Sequence, residues 1–209
     1  MLQERIEGKW LASFRRVFAL NGIGQGTTVA LISETQSRPV LLHLAELALY
    51  DLGADFCMLR LPTPPQTAPV PVKGTGTSLA IQHNRAAIEA MKTCKVVVDC
   101  TVEGMIHSPE WPEIEAAGAR ILVVTNEHPE ILERTEPFAE LGPKVDLGVQ
   151  MLKDANEMHV TSIAGTDLRI NLTDAPCGGT AGFGNKPGDV AHWPGGLCLA
   201  FPGKNCVNG

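Results

Sequence analysis

Two histidines lie in segments where an imidazole could take part in acid–base chemistry. His192 opens the run HWPGG at residues 192–196, in which Pro194 stiffens the backbone and the glycines after it let the backbone approach a ligand closely. His107 lies in the run TVEGMIHS at residues 101–108, directly after an apolar segment typical of a strand. Because an imidazole binds or releases a proton near neutral pH, His192 is a candidate acid or base. His107 is a candidate ligand contact, because its segment starts at the carboxyl end of a presumed strand, where α/β proteins bind ligands. A surface-loop histidine without function remains an open alternative for His107.

The sequence holds no compact set of metal ligands. His128 and Glu130 have the H-x-E spacing found in iron sites built from two histidines and one carboxylate. They follow a predicted strand, however, where Asn126 or Glu127 could cap the next helix and Glu130 would complement its dipole. We therefore predict that this pair serves the start of a helix, and we expect no metal ligand set within this chain.

Strand-like and helix-like segments alternate through the first part of the chain. Apolar positions three and four apart between Ile6 and Phe18 predict an amphipathic helix, and Ser37 and Pro39 predict the capped start of another. The alternation predicts a three-layer α/β domain over residues 1–150, with a parallel sheet and helices on both faces. The predicted strands are Thr28–Ser33, Ala54–Leu61, Lys95–Cys100 and Ala119–Thr125.

The pattern changes from about Met158 onward. Two segments of β character flank Gly165 and Thr166, which is typical of a hairpin, and the residues after Thr173 are rich in glycine. We predict that residues 151–209 form the beginning of a second, β-rich α+β domain. Two or three strands do not close a hydrophobic core, so we expect this domain to be truncated and the native sequence to continue beyond Gly209.

Composition argues against several classes of partner. The 209 residues are 44% hydrophobic and 19% charged, as in soluble globular proteins. The net charge of -6 and the lack of a long basic run argue against nucleic acid. No apolar run approaches the roughly 18 residues of a membrane helix, and the amino terminus lacks the apolar region of a signal peptide. The six cysteines contain no CxxC pair, so we expect reduced thiols and a cytoplasmic protein.

Two motifs in order resemble a known superfamily. Residues 164–169 (AGTDLR) contain GTDL, and residues 192–202 (HWPGGLCLAFP) lead to VNG at 207–209. Together they resemble the aminopeptidase T superfamily, whose members carry GTDL and then an N-x-P-x-G-E-V segment with a V-x-G turn. In the peptidases the glutamate of that segment ligates metal, whereas Leu197 stands at the matching position and cannot coordinate an ion.

The HWPGG variant, together with the segment around His107, is more similar to the 2,5-dihydroxypyridine 5,6-dioxygenase family of nicotinate and nicotine degradation. That resemblance implies a single non-haem Fe(II), held by two histidines and an aspartate that lie beyond Gly209 in the family. It implies extradiol-type cleavage of a small aromatic N-heterocycle by O2, giving N-formylmaleamate, in a homo-oligomeric enzyme. It further implies a catalytic acid–base role for His192 and substrate contacts from His107 and Trp193.

Two alternatives stay open on the sequence alone. One is a metal-dependent hydrolase of the aminopeptidase T-like superfamily, acting on peptides or aromatic amines; Leu197 disfavours the peptidase but leaves a one-metal hydrolase possible. The other is that these 209 residues are a catalytically inert fragment.

Overall fold

The computed structural model describes residues 5–65 and 77–203. Contacts group them into two compact units that are discontinuous in sequence. Unit 1 comprises the described residues of Met1–Phe138 and Gly182–Gly195, and unit 2 those of Ala139–Ala181 and Gly196–Gly209. The predicted division into domains 1–150 and 151–209 stays a prediction.

The elements alternate between helix and strand before the chain turns to short strands. In chain order they are α1 (Gly8–Leu20), β1 (Thr28–Glu34), α2 (Pro39–Asp51), β2 (Asp55–Leu61), a 3-10 turn (Leu79–Ile81), α3 (Arg85–Lys92), β3 (Val96–Cys100), α4 (Trp111–Ala116), β4 (Arg120–Val124), α5 (Pro129–Arg134), α6 (Leu141–Asp154), β5 (Glu157–Thr161), β6 (Asp167–Asn171), β7 (Cys177–Thr180), β8 (Val190–Trp193) and β9 (Leu197–Ala200).

Unit 1 is built on a five-stranded sheet in the order β2-β1-β3-β4-β8, and every neighbouring pair is parallel. The predicted parallel α/β sheet is therefore confirmed, with all four predicted strands in it. The fifth strand, β8, is not among the predicted strands. The sequence pattern places its residues in the second domain, whereas the structure pairs them with β4 in unit 1.

Helices cover both faces of this sheet, and the alternation of side chains along each strand separates two cores. The first core joins alternate strand residues such as Leu31 and Val98 to α1 and α2. The second core joins the intervening residues, such as Ile32 and Val97, to α3 and α4. The central strands β1 and β3 are thus buried on both sides, which explains their continuous apolar runs.

Helix α2 starts one residue later than the sequence indicated. Pro39 occupies the first turn as predicted, but the N-cap is Arg38 and no side chain caps the helix. The hydroxyl of Ser37 instead accepts a hydrogen bond from the backbone N–H of Glu34, 2.8 Å away. The predicted cap was wrong because this serine closes the turn at the end of β1.

Unit 2 contains α6 and two antiparallel strand pairs. The hairpin β5–β6 confirms the predicted turn, since Gly165 adopts a φ of +99° between the strands. Strands β7 and β9 pair beside α6. Gly179 is required in this packing because a Cβ there would lie 2.6 Å from the carbonyl oxygen of Leu197 and 2.7 Å from Val145. Among the described residues, no helix has the length and apolar character to cross a membrane.

Candidate functional site

Three strands of unit 1 bring polar side chains together at the carboxyl edge of the sheet. Val123 of β4 pairs with Asp99 of β3 on one side and with His192 of β8 on the other. Their side chains therefore point to the same face, with Cα atoms about 10 Å apart across two strand spacings. Glu34 lies two residues beyond Ile32, the β1 partner of Asp99, and shares that face. Open parallel sheets bind their ligands at this edge.

Asp99 is buried at the end of β3 and organises the loop that follows it. Its Oδ1 accepts hydrogen bonds from the backbone N–H and the hydroxyl of Thr101, at 2.9 and 2.6 Å. Its Oδ2 accepts one from the N–H of Met105 at 2.7 Å. Burial raises the pKa of Asp99, although these hydrogen bonds oppose the shift by favouring the carboxylate.

Ser78 fastens the same loop from the other side. Its backbone N–H donates to the carbonyl of Gly104 at 2.7 Å, and its own carbonyl accepts from the Ser108 hydroxyl at 3.2 Å. Its hydroxyl donates to Oε1 of the buried Glu34 at 2.6 Å. We call the five residues Glu34, Ser78, Asp99, Thr101 and Ser108 the carboxyl-edge polar cluster.

His192 is half-buried on the edge strand β8, and one hydrogen bond determines which of its ring nitrogens carries the proton. The Nδ1 atom lies 3.0 Å from the carbonyl oxygen of Pro194. A carbonyl only accepts hydrogen bonds, so Nδ1 carries the proton in this contact. In the neutral ring Nε2 is then the unprotonated nitrogen, which is the atom that a general base uses.

His107 is exposed on the β3–α4 loop. The residues beside it are anchored, because Met105 is buried in the second core and Ser108 belongs to the carboxyl-edge polar cluster. Within the part of the chain that the structure describes, no hydrogen bond joins His107 to His192. The fold brings both to the carboxyl edge without linking them directly.

Trp193 lies in the first core. The side chain is 0% exposed, its ring centroid is 4.9 Å from that of Phe14, and its Nε1 donates to the carbonyl of Leu132 at 3.0 Å. Because neighbours on a strand face opposite ways, Trp193 and His192 point to different sides of the sheet. The indole therefore packs the fold, and its predicted substrate contact stays a prediction without support from this placement.

His128 and Glu130 serve the start of α5, as the sequence indicated. The predicted cap at Asn126 or Glu127 was wrong, because His128 is the N-cap and its Nδ1 accepts from the Glu130 N–H at 3.2 Å. Hydrogen bonds from Lys9, Arg134 and Trp10 lower the pKa of Glu130 from its ordinary 4.5 to about 2. Both residues are thus engaged in structural contacts.

The described residues contain no group of three or more histidine, cysteine, aspartate or glutamate side chains placed to hold a metal ion. Within the described residues, no two histidines and one carboxylate are therefore placed to act as the ligands of an iron site of that type.

A surface depression does occur in unit 1, but at the opposite, amino-terminal edge of the sheet. It is lined by Thr28, Val29, Asp55, Phe56, Cys57, Thr93 and Cys94.

Sequence reasoning missed the carboxyl-edge polar cluster, although one signal was present. Asp99 follows the apolar run at 96–98 and lies two residues before Thr101. Aspartate is depleted in strands, so an acidic residue at the end of a buried strand indicates a specific partner. The contacts of Ser78 with Glu34 and Gly104 had no such signal, because these residues are far apart in sequence.

An open parallel sheet with buried polar side chains at its carboxyl edge is typical of α/β enzymes that act on small molecules. The chain belongs to the 2,5-dihydroxypyridine 5,6-dioxygenase (NicX) family, whose model matches residues 9–209. It is 29% identical over 198 residues to the 2,5-dihydroxypyridine 5,6-dioxygenase of Pseudomonas putida KT2440, covering 94% of this chain and 56% of that protein.

A solved structure of 2,5-dihydroxypyridine dioxygenase from Pseudomonas putida KT2440 is similar in fold. The TM-score is 0.82 at 30% sequence identity, over 96% of this chain and 57% of the other. The chain therefore spans a little over half the length of these relatives. The wider likeness to aminopeptidase T stays a prediction.

Proposed function

We propose that this chain is part of an Fe(II)-dependent dioxygenase that opens the ring of 2,5-dihydroxypyridine with O2 to give N-formylmaleamate. The observation that carries the proposal is the family match from residue 9 to residue 209, which includes the segments of both candidate histidines. The agreement of fold with a dioxygenase of that name supports it. No feature of the described residues favours the alternative hydrolase.

In this proposal His192 is the acid–base residue. The Nδ1 hydrogen bond to Pro194 fixes the orientation of the ring, and the free Nε2 accepts a proton from a ring hydroxyl of the substrate. His107 supplies a second substrate contact from the β3–α4 loop. Substrate would then enter over the carboxyl edge, where the exposed His107 is accessible to solvent.

Insertion of both atoms of O2 into an aromatic ring calls for a redox-active metal, and Fe(II) is the ion that the family resemblance implies. The described residues do not supply a ligand set, so on this proposal the ligands come from elsewhere in the enzyme.

A homo-oligomeric state and a cytoplasmic location are further parts of the proposal. Sedimentation velocity tests the first, and cell fractionation tests the second.

The test is to incubate Fe(II) and 2,5-dihydroxypyridine in air-saturated buffer with the purified complete enzyme that contains this chain, and in parallel with the 209-residue chain alone, following O2 uptake and product mass. We expect one O2 consumed per ring and a product heavier than the substrate by two oxygen atoms, both labelled when ¹⁸O2 is used. His192→Gln should reduce turnover strongly. Val190→Ala, a change on the same strand and the same sheet face, should leave turnover unchanged.

Other outcomes point to the alternatives. Cleavage of a peptide or an aromatic amine without O2 uptake would replace the dioxygenase with a hydrolase. Activity in the complete enzyme but none in the 209-residue chain alone would favour the inert fragment.

A further inference from the structure

The β3–α4 loop is held from two sides by buried hydrogen bonds that the proposed chemistry does not use. Asp99 accepts three of them, from the backbone and hydroxyl of Thr101 and from the backbone of Met105. The Thr101 hydroxyl also accepts from the Gly104 N–H at 3.1 Å. One carboxylate and one hydroxyl thus fix the backbone on both sides of the turn at Gly104.

The loop lies at the carboxyl edge of the sheet, so these contacts affect the residues of the candidate site. Asp99 lies on the same face as His192, two strand spacings away through Val123. The loop that it fixes carries His107 two residues beyond Met105. The carboxylate therefore sets where the His107 backbone lies relative to the strand that bears His192.

A role in packing alone would not require these groups. Asp99 is fully buried, and burial disfavours an acidic group unless specific hydrogen bonds compensate. An apolar residue would fill the strand end without this cost, whereas only an acceptor-rich group satisfies two backbone N–H groups and a hydroxyl at once.

We propose that Asp99 and Thr101 are positioning residues, which hold the β3–α4 loop so that His107 is presented at the carboxyl edge of the sheet. Neither touches the substrate; both act through His107. The hydrogen bonds alone support the claim that Asp99 and Thr101 hold the loop, whereas the expected effect on turnover rests on the proposed function.

The first test compares two substitutions at one position. Thr101→Val keeps the shape of the side chain but loses the hydroxyl, and with it the bonds to Asp99 and Gly104. Thr101→Ser keeps the hydroxyl. Hydrogen exchange of the backbone amides of Met105 and Ser108, which donate to Asp99 and to the Met105 carbonyl, should be about tenfold faster or more in Thr101→Val, through local opening, and should return to near the parent rate in Thr101→Ser.

A matched control separates local from global effects. Ser13 of α1 is equally buried and donates a 2.6 Å hydrogen bond to the Glu136 carboxylate elsewhere in unit 1. Ser13→Ala should leave exchange at Met105 and Ser108 unchanged. If Thr101→Val leaves these amides unchanged, or if Ser13→Ala accelerates them as much, the positioning role is overturned.

The second test is a double-mutant cycle on kcat/KM. Thr101→Val should lower kcat/KM about tenfold in the parent, but should have little further effect in the His107→Ala background, since it acts through that side chain. Equal losses in both backgrounds would overturn the coupling to His107. If the parent itself has no dioxygenase activity, the proposed function fails while the exchange experiment still decides whether the loop is held as described.

Discussion

Replacing Trp193 with phenylalanine should destabilise unit 1 without any change at the carboxyl edge. The substitution removes the indole N–H that donates to Leu132 and leaves space in a site that is 0% exposed. The Leu132 carbonyl keeps a bond from the Thr135 N–H at 3.2 Å, so the lost hydrogen bond costs about 1 kcal/mol. The lost packing costs about 1–2 kcal/mol more, whereas the edge-to-face contact with Phe14 can persist.

We therefore expect Trp193→Phe to lower the free energy of unfolding by about 2–3 kcal/mol, and Trp193→Ala by about 3–5 kcal/mol. Urea unfolding followed by far-UV circular dichroism measures both. His192→Ala is the control on the same strand, with an expected loss of about 1 kcal/mol or less. A Trp193→Phe protein as stable as the parent, but with weakened substrate binding, would refute the core placement and restore the predicted substrate contact.

Four further predictions follow from the same structure. In an active enzyme His192→Ala should lower turnover by about 10²-fold or more, and loss of activity fully accounted for by unfolding would return His192 to a structural role. Because contacts with Lys9 and its neighbours lower the pKa of Glu130 to about 2, their stabilisation is present above the unfolded pKa and is lost as pH falls from 4.5 towards 2. Glu130→Gln should therefore be less sensitive than the parent to acid in that window, as measured by unfolding at each pH. The 209-residue protein should bind Fe(II) weakly, and stoichiometric binding at micromolar or better affinity in a titration would contradict this. In the native protein iodoacetamide should modify the exposed Cys57 but not Cys100, whose thiol is buried and has a raised pKa; mass spectrometry of the labelled peptides would detect the reverse order.

Several features of the two units could be predicted because their cause is local. The apolar runs around Val29 and Val97 are continuous, so they indicate strands buried on both faces whatever they pair with. The positions of Pro39 and Pro129 in first helical turns follow from the fixed φ angle of proline. The hairpin at Gly165 follows from turn chemistry.

The remaining features depend on pairings between distant residues, and only the tertiary structure decided them. The alternation along β8 requires His192 and Trp193 to face opposite ways, but which of them enters the core depends on the pairing of β8 with β4, some seventy residues earlier. The sequence by itself determined the parallel α/β class, four of the five strands of its sheet and the candidate histidines. The burial of Trp193, the anchoring of the His107 loop by Asp99 and Ser78, and the shared face of Asp99 and His192 all arise from non-local contacts. A local hydrophobic pattern does not encode strand order or register, so these relations had to come from the folded chain.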